Sequence, residues 1–291
     1  MQNQNAPKNI QLCLEQVINQ LESTVTGKRN KDSEIKYFPT AFDELNKLIF
    51  GIYRGQLTVV AGKSVVDKRA FARTLCETFL FNSEQNLPIL MFSLEVDSNT
   101  IVTNMLSSLS MIDINHLNHG LLSVEDFHQI SSTISQLSTH PYLYIDDNAN
   151  LTLDGICASA RKIHKEQGSL GVMVIDSLQL INEESTAQNS DIAAAKITTV
   201  LKALATELNT AIILTTDLNA EIEHREDIKP THFDLPGNGA VFKNADLILY
   251  LHPEQNNKDG LTEVIVGKQR CGIKGSIQLY FDDRYLTSSP R

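Results

Sequence analysis

Tryptophan is absent from this chain, and cysteine and aromatic residues are scarce. The 291 residues include four cysteines, and aromatic residues make up 6% of the total. The cysteines are widely scattered and form no CxxC pair, which argues against a zinc site or a disulfide framework. They are Cys13, Cys76, Cys157 and Cys271. Cys76 and Cys157 fall on predicted helices, where we expect buried free thiols. Without tryptophan, an aromatic surface for stacking the bases of single-stranded nucleic acid is not evident.

The chain also lacks long apolar runs and an excess of positive charge. No apolar stretch approaches the roughly 18 residues that a membrane span requires, and the polar start MQNQNAPKN does not resemble a signal peptide. We therefore expect a cytoplasmic protein with no membrane contact. The net charge of −10 disfavours a broad electrostatic contact with nucleic acid. The histidines show no HExxH or paired metal spacing, and no G-x-S-x-G motif indicates a hydrolase nucleophile.

The order of apolar patterns predicts a helix, a linker and one large α/β domain. Apolar residues at three- and four-residue spacing predict an amphipathic helix over residues 9–25, and residues 26–34 form a polar linker. We assign residues 1–36 to this linker helix and flexible linker, and residues 37–291 to a single domain.

Within the large domain, short apolar strands alternate with helical patterns. Strands are predicted at residues 57–61, 88–93, 142–145, 171–175, 211–215, 246–251 and 261–267. Fully apolar strands in such alternation predict a mostly parallel, twisted sheet flanked by helices on both faces. The strands between residues 246 and 281 lie close together, so we expect them to complete the sheet in antiparallel fashion.

Residues 62–69 have the outline of a phosphate-binding loop, which we call the phosphate loop. The usual pattern is G-x-x-x-x-G-K-[ST], set between a strand and a helix. Gly62 and Lys68 are in register with the first glycine and the lysine, and a helical pattern follows. Asp67 replaces the second glycine, and Arg69 replaces the hydroxyl residue that holds magnesium. The loop therefore argues against ordinary nucleotide hydrolysis.

Asp67 would repel a bound phosphate, and nearby cations would offset that repulsion. Two unit charges about 4 Å apart interact by roughly 4 kcal/mol at an effective dielectric near 20, which corresponds to about a thousandfold in affinity. A pair between Asp67 and Lys63, Lys68 or Arg69 would reduce this effect. The residues predicted to face a nucleotide are Gly62, Lys63, Ser64, Asp67, Lys68, Arg69 and Asp217.

Four predicted strands end in a carboxylate. These residues are Glu95, Asp146, Asp176 and Asp217. Ligands of open α/β sheets bind outside the carboxyl ends of the strands, so the four residues indicate the acidic edge of a nucleotide and magnesium site. The alternative for each of them is a cap on the following helix. Asp176 follows an apolar strand typical of a Walker B aspartate, and Glu95 is placed to polarise an attacking water.

The segments together resemble the C-terminal RecA-type ATPase domain of DnaB-family replicative DNA helicases. The match runs from about Pro7 to about Tyr285. It rests on many segments in the family's order, including Thr40–Asn46, Phe92–Glu95, Tyr144–Asp147, Ile175–Leu180, Leu201–Asn209 and Gly267–Arg270. The resemblance implies a RecA-like P-loop NTPase fold and a linker helix that docks on a neighbouring subunit.

The resemblance also implies roles for single residues. Lys68 matches the phosphate lysine, Glu95 the catalytic glutamate, and Asp176 the Walker B aspartate that orients the metal. Lys268 and Arg270 match the pair that reaches the nucleotide of the next subunit, although a KxR pattern alone is also typical of a solvated strand face.

The implied cofactor is ATP or ADP with Mg²⁺, but three positions depart from the family's pattern. Besides Asp67 and Arg69, Asp217 replaces the glutamine that senses the γ-phosphate in the family.

The segments that match the family's two DNA-contacting loops have also changed. Residues 181–188 are acidic where phosphate contacts require lysine or arginine. In the second loop, Pro236 replaces an arginine, while Gly237 and Gly239 retain backbone amides. Lys243 nearby is a single positive group, with an ordinary surface role as its alternative. We expect weakened contact with single-stranded DNA.

Two hypotheses of different classes follow. The first is a degenerate, weakly or non-hydrolysing regulatory subunit that forms a homo-oligomer or a hetero-oligomer with a DnaB-type helicase. The second is an active ATP-dependent helicase that unwinds duplex DNA as a hexameric ring. The changes at Asp67, Arg69 and Asp217, together with the acidic loop, favour the first.

Overall fold

The computed structural model describes most of the chain beyond the N-terminal segment. The described residues are 9–11, 14–15, 17–18, 35–64, 66–82, 87–183, 190–225, 227–237, 239–254, 260–270, 272–285 and 287–290. The chain divides into two compact units, Met1–Lys36 and Tyr37–Arg291. In the first unit, residues 10, 11, 14, 15, 17 and 18 are helical. The predicted linker over residues 26–34 lies outside the described residues, as do Cys13 and Cys271.

The second unit contains the predicted alternation of strands and helices. The strands are β1 (Tyr37–Phe38), β2 (Ile52–Tyr53), β3 (Leu57–Gly62), β4 (Ile89–Ser93), β5 (Leu143–Asp146), β6 (Val172–Asp176), β7 (Ala211–Asp217), β8 (Leu247–Pro253), β9 (Leu261–Gln269), β10 (Ser276–Asp282) and β11 (Thr287–Pro290). The helices are α1 (Asp43–Ile49), α2 (Lys68–Asn82), α3 (Ser98–Ser110), α4 (Ile114–His119), α5 (Val124–Ser138), α6 (Leu153–Gln167), α7 (Ser190–Leu208) and α8 (Ala240–Asn244). Short 3₁₀ turns lie at Leu178–Leu180, Ala220–His224 and His232–Asp234. Every predicted strand is present, with its ends within two residues of the prediction.

The strands form one large mixed sheet, in the order β11-β10-β9-β8-β3-β7-β6-β4-β5, and β1 pairs with β2 separately. In the part of the sheet that runs β8-β3-β7-β6-β4-β5, each strand is parallel to the next one. Strands β8 to β11 pair in antiparallel fashion. The prediction of a mostly parallel sheet with an antiparallel end is confirmed.

The parallel strands are buried on both faces, which explains their continuous apolar sequences. All six residues of β3 are buried, as are the first four of β6. Helix α7 covers the sheet with Leu201, Leu204 and Leu208, whose three- and four-residue spacing places them on one side. The cysteines Cys76 on α2 and Cys157 on α6 are buried free thiols, as predicted. Among the described helices, none combines the length and apolarity that crossing a membrane requires.

Strand order decides which strand ends meet at the carboxyl edge. Strand β3, which leads into the phosphate loop, lies directly between β7 and β8. The register pairs Gly62 with Asp217 across β3 and β7, and Ser93 with Asp176 across β4 and β6. Asp217 therefore lies beside the phosphate loop, and Asp176 lies on the next strand.

Candidate functional site

The phosphate loop ends where Asp67 caps helix α2. The Asp67 carboxylate accepts a hydrogen bond from the backbone amide of Ala70 at 2.7 Å. This is the usual role of an N-cap aspartate, which satisfies an amide that the first helical turn leaves unpaired. Within the described ranges, Asp67 forms no ion pair with Lys63, Lys68 or Arg69. Asp67 therefore stabilises its own helix and does not neutralise the loop's cations by direct contact.

The ammonium group of Lys68 is already bound by other groups of the protein. Its Nζ lies 2.8 Å from the carboxylate of Asp217 and donates to the backbone carbonyl of Lys63 at 2.8 Å. A longer contact of 3.4 Å reaches the carbonyl of Val66. Lys68 is only 8% exposed. The group that would hold a phosphate is thus surrounded by oxygen acceptors of the protein.

Two backbone amides of the phosphate loop are also satisfied internally. The Val66 amide donates to the Lys63 carbonyl at 3.0 Å, and the Lys68 amide donates to the Val66 carbonyl at 2.8 Å. Phosphate loops bind anions through free amides of this kind. In this conformation, these two amides are not available to a phosphate.

Arg69 bridges the two carboxylates that the resemblance places in catalysis. Its Nε donates to Asp176 at 2.8 Å, and its Nη2 donates to Glu95. The second oxygen of Asp176 accepts a hydrogen bond from the hydroxyl of Thr215 at 2.5 Å. Burial opposes the charge of Arg69, but its hydrogen bond to Asp176 and the charges of Asp176 and Glu95 raise its pKa. Arg69 is therefore a permanent cation at this position.

The structure brings three of the four strand-end carboxylates into one cluster. Asp217 pairs with Lys68, while Asp176 and Glu95 pair with Arg69. Asp146 does not join them, because β5 is the outermost strand and the Asp146 carboxylate accepts the amide of Asn148. Thr215 is a member that the sequence did not indicate, since its contact with Asp176 depends on β6 and β7 being neighbours.

Mg²⁺ does not fit the side chains present at this position. The ion prefers an octahedral shell of oxygens at about 2.0–2.1 Å, supplied by carboxylates, hydroxyls, waters and phosphates. Here the hydroxyl residue is replaced by Arg69, both oxygens of Asp176 have hydrogen-bond donors, and the guanidinium lies between Asp176 and Glu95. A second cation in the same space would face electrostatic repulsion from Arg69.

Lys268 holds the end of helix α8. Its Nζ donates to the backbone carbonyls of Ala245 and Lys243 at 2.6 and 3.2 Å, and to that of Phe242. It also lies 5.0 Å from the centre of the Phe242 ring. Burial, and secondarily the charge of Arg270, lower the pKa of Lys268. Its contacts are those of a cation at a helix C-terminus.

Arg270 is better exposed than Lys268 and forms an ion pair with a buried carboxylate. Its Nε lies 2.8 Å from Asp246, and its side chain is 54% exposed. Asp246 also binds Lys202 at 2.8 Å and accepts the backbone amide of Leu57 at 2.9 Å. Asp246 therefore keeps two partners when Arg270 is removed.

The variant Arg270→Ala is expected to lower the free energy of unfolding by less than about 1 kcal/mol, because exposed ion pairs contribute little. The comparison variant Asp246→Asn is expected to lower the free energy of unfolding by about 1–3 kcal/mol, because the buried carboxylate loses its charge-assisted hydrogen bonds. Urea unfolding of both variants measures the difference. A loss above about 2 kcal/mol for Arg270→Ala would show that Arg270 is mainly structural.

Of the donors predicted for contact with DNA, the structure engages the Gly237 amide within the protein itself. Residues 184–188 of the first segment lie outside the described residues, and Glu183 forms an ion pair with Lys196. The amide of Gly237 donates to the carboxylate of Asp191 at 2.6 Å. Gly239 has a φ of 85°, which suits glycine, and Lys243 is exposed.

An exposed aromatic pair lies beside the second segment. The ring centres of His232 and Phe233 are 3.9 Å apart, and Phe233 is 78% exposed. A hydrogen-bonded turn between Thr231 and Asp234 holds the pair in place. The adjacent aromatic residues were the signal available in the sequence, but their exposure depends on this turn.

Comparison with known proteins gives one consistent family. A family model described as the DnaB-like helicase C terminal domain matches residues 38–288. The replicative DNA helicase DnaB of Buchnera aphidicola from Acyrthosiphon pisum is 33% identical over 286 residues, which cover 97% of this chain and 61% of the relative. The Pasteurella multocida protein of the same name is 34% identical, covering 96% and 60%. The chain thus spans about three fifths of the length of these relatives.

Solved structures show the same architecture. One solved ATPase domain superposes with a TM-score of 0.85 at 24% sequence identity, covering 98% of this chain and all of that one. A DnaB-like replicative helicase, whose structure was described with its interactions with primase, gives a TM-score of 0.81 at 24% identity. It covers 98% of this chain and 68% of the helicase chain. The expected RecA-like fold is therefore confirmed.

Proposed function

Because the chain belongs to the family of DnaB-like helicase C-terminal domains, we propose that it is a weakly or non-hydrolysing member linked to DNA replication. In this role it is a cytoplasmic subunit that assembles with itself or with a DnaB-type helicase and regulates that assembly. The observation that carries the proposal is the ion pair of 2.8 Å between Lys68 and Asp217. It engages the phosphate lysine with a residue that replaces the family's γ-phosphate sensor.

The energetics of that pair oppose nucleotide binding in two ways. A phosphate must draw Lys68 away from a carboxylate and from the Lys63 carbonyl. The carboxylate of Asp217 then remains near the phosphate and repels it. A charge contact at about 4 Å is worth roughly 4 kcal/mol at an effective dielectric near 20, or about a thousandfold in affinity. ATP or ADP with Mg²⁺ is therefore at most a weak ligand under this proposal.

Features outside the phosphate loop support a role in assembly. The helical residues Ile10, Leu14, Val17 and Ile18 are all at least half exposed. An apolar stripe of this kind on a helix needs a partner to be stabilised in water. Arg270 is exposed enough to reach a neighbouring subunit. We include single-stranded DNA only as a weak ligand, through Gly239 and Lys243.

An active ATP-dependent helicase remains the alternative function, and one observation favours it. Asp176 ends β6, and Glu95 follows the adjacent strand β4, which is the arrangement expected of a metal-orienting and a catalytic carboxylate. Both residues would become available if Arg69 moved away from them.

Magnesium-dependent ATP turnover by the pure chain separates the two functions. We expect turnover below roughly 1 s⁻¹, the low end for ordinary enzymes, with and without single-stranded DNA. The variant Lys68→Ala serves as the matched control, because a contaminating ATPase would be unaffected by it. Turnover above that value, lost in Lys68→Ala, would overturn the proposal in favour of the active helicase. The mass of the chain in solution, alone and mixed with a DnaB-type helicase, tests the assembly.

A further inference from the structure

The Arg69 side chain lies between Asp176, which the resemblance assigns to orienting the metal, and Glu95, which it assigns to polarising the attacking water. The Arg69 guanidinium donates to Asp176 at 2.8 Å through one nitrogen and to Glu95 through another. The remaining oxygen of Asp176 is bound by Thr215. This arrangement is a hydrogen-bonded network around a fixed positive charge.

Lys68 and Arg69 offset part of the carboxylate charge of the cluster without any ligand. Lys68 and Arg69 contribute two positive charges, and Asp176, Glu95 and Asp217 contribute three negative charges, which leaves 2 − 3 = −1. Without Arg69, Asp176 and Glu95 would be unpaired carboxylates near each other. Such pairs bind a divalent cation or take up a proton.

Arginine is well suited to hold two carboxylates permanently. Its guanidinium is planar, remains charged at any physiological pH, and presents several donors that can bind two carboxylates at once. Arg69 is anchored in the first turn of α2, whereas Asp176 ends β6 and Glu95 follows β4. The bridge therefore connects the helix after the phosphate loop with two strand ends.

We propose that Arg69 is a built-in replacement for the divalent cation, so that this site excludes Mg²⁺ and Asp176 and Glu95 stay paired with a cation whether or not a nucleotide is present. The inference concerns the same site as the proposed function and rests on it. It adds a separate claim, because a weak ATPase could still bind a metal ion. Exclusion of the ion depends on Arg69, whereas the loss of phosphate affinity depends on Lys68 and Asp217.

Binding of Mn²⁺, measured by electron paramagnetic resonance on the full chain, tests this directly. We expect the wild-type protein and the variant Asp176→Asn to show the same Mn²⁺ binding, since Asp176 does not contribute to it. The variant Arg69→Thr should bind Mn²⁺ at least about tenfold more tightly than wild type, a difference of about 1.4 kcal/mol. That gain should disappear in Arg69→Thr/Asp176→Asn. The matched control Arg69→Lys keeps the charge and should bind no more Mn²⁺ than wild type.

Two results would overturn the inference. One is Mn²⁺ binding by the wild-type protein that is lost in Asp176→Asn, which remains measurable even if Arg69→Thr does not fold. The other is a folded Arg69→Thr variant that binds Mn²⁺ no better than Arg69→Lys. Neither result bears on ATP turnover by the wild-type chain, which is measured without these variants. Failure of the inference and failure of the proposed function are therefore distinguishable.

Discussion

The triple variant Asp67→Gly/Arg69→Thr/Asp217→Gln is expected to show Mg²⁺-dependent ATP turnover about 10²–10³-fold above the wild-type chain. This is the range by which the loss of one charge-stabilising group typically slows an enzyme. The exchange at position 67 removes a carboxylate from the loop, and that at position 217 releases Lys68 from its 2.8 Å ion pair. The exchange at position 69 supplies a hydroxyl for the metal and frees Asp176 and Glu95.

Two matched variants identify the cause of any gain. The triple variant with Arg69→Lys in place of Arg69→Thr keeps a positive charge and supplies no hydroxyl, so we expect turnover no higher than wild type. Adding Glu95→Gln to the first triple variant should remove the gained activity, because a carboxylate is required to polarise the attacking water. Turnover is measured with and without Mg²⁺ on protein shown to be folded by circular dichroism. Equal rates in the two triple variants would mean that a hydroxyl at position 69 is not what hydrolysis requires, and rates equal to wild type in both would mean that these three residues are not what prevents it.

The variant Glu77→Ala is expected to lower the free energy of unfolding by about 3–5 kcal/mol, because it leaves a buried charge uncompensated. Arg73 and Glu77 lie on successive turns of α2 and are 2% and 5% exposed. The Arg73 Nε donates to Glu77 at 3.1 Å, and the hydroxyl of Ser108 donates to the second Glu77 oxygen at 2.9 Å. Burial raises the pKa of Glu77 to about 7, while Arg73 and Ser108 act in the opposite direction. Urea unfolding at pH 8, where Glu77 is ionised, measures the loss.

The double variant Arg73→Met/Glu77→Leu provides the control for this prediction. It removes both charges and retains similar volumes, so we expect a change between about zero and a gain of a few kcal/mol. A double variant as unstable as Glu77→Ala would show that packing, and not the unpaired charge, determines the effect. The pair also matters for the site, because Ser108 is on α3, which follows Glu95. The ion pair and its hydrogen bond to Ser108 thus link the helix that holds Arg69 to the helix that follows Glu95.

The local features of the fold could be predicted because they depend on short stretches of sequence. Apolar runs such as residues 171–175 and 211–215 are typical of strands buried on both faces, and both are strands in the structure. The helical periodicity after the phosphate loop likewise predicted α2. Capping contacts were harder to predict from the sequence. The sequence suggested that Asp67 pairs with a neighbouring cation, whereas in the structure it caps α2, because the backbone places the Ala70 amide against its carboxylate.

The contacts of Lys268 and the exposure of Phe233 likewise could not be predicted from short stretches of sequence. A lysine and an arginine two residues apart on a strand indicate that both side chains lie on one face. Their different partners, the end of α8 for Lys268 and buried Asp246 for Arg270, depend on elements distant in sequence. Phe233 is adjacent to His232 in the sequence, but the hydrogen-bonded turn from Thr231 determines that its ring is exposed.

The amino-acid sequence by itself determined which side chains the site contains: Lys68, the carboxylates Glu95 and Asp176, and the replacements Arg69 and Asp217. These follow from motif spacing and from the ends of apolar strands, which are local properties. Only the tertiary structure decided that the replacements bind the retained residues. Strand β3 lies next to β7, so Asp217 meets Lys68, and β4 lies next to β6, so Arg69 reaches both Asp176 and Glu95. Strand order results from long-range packing of the whole sheet, and no pattern within a single strand reports which strand will be its neighbour.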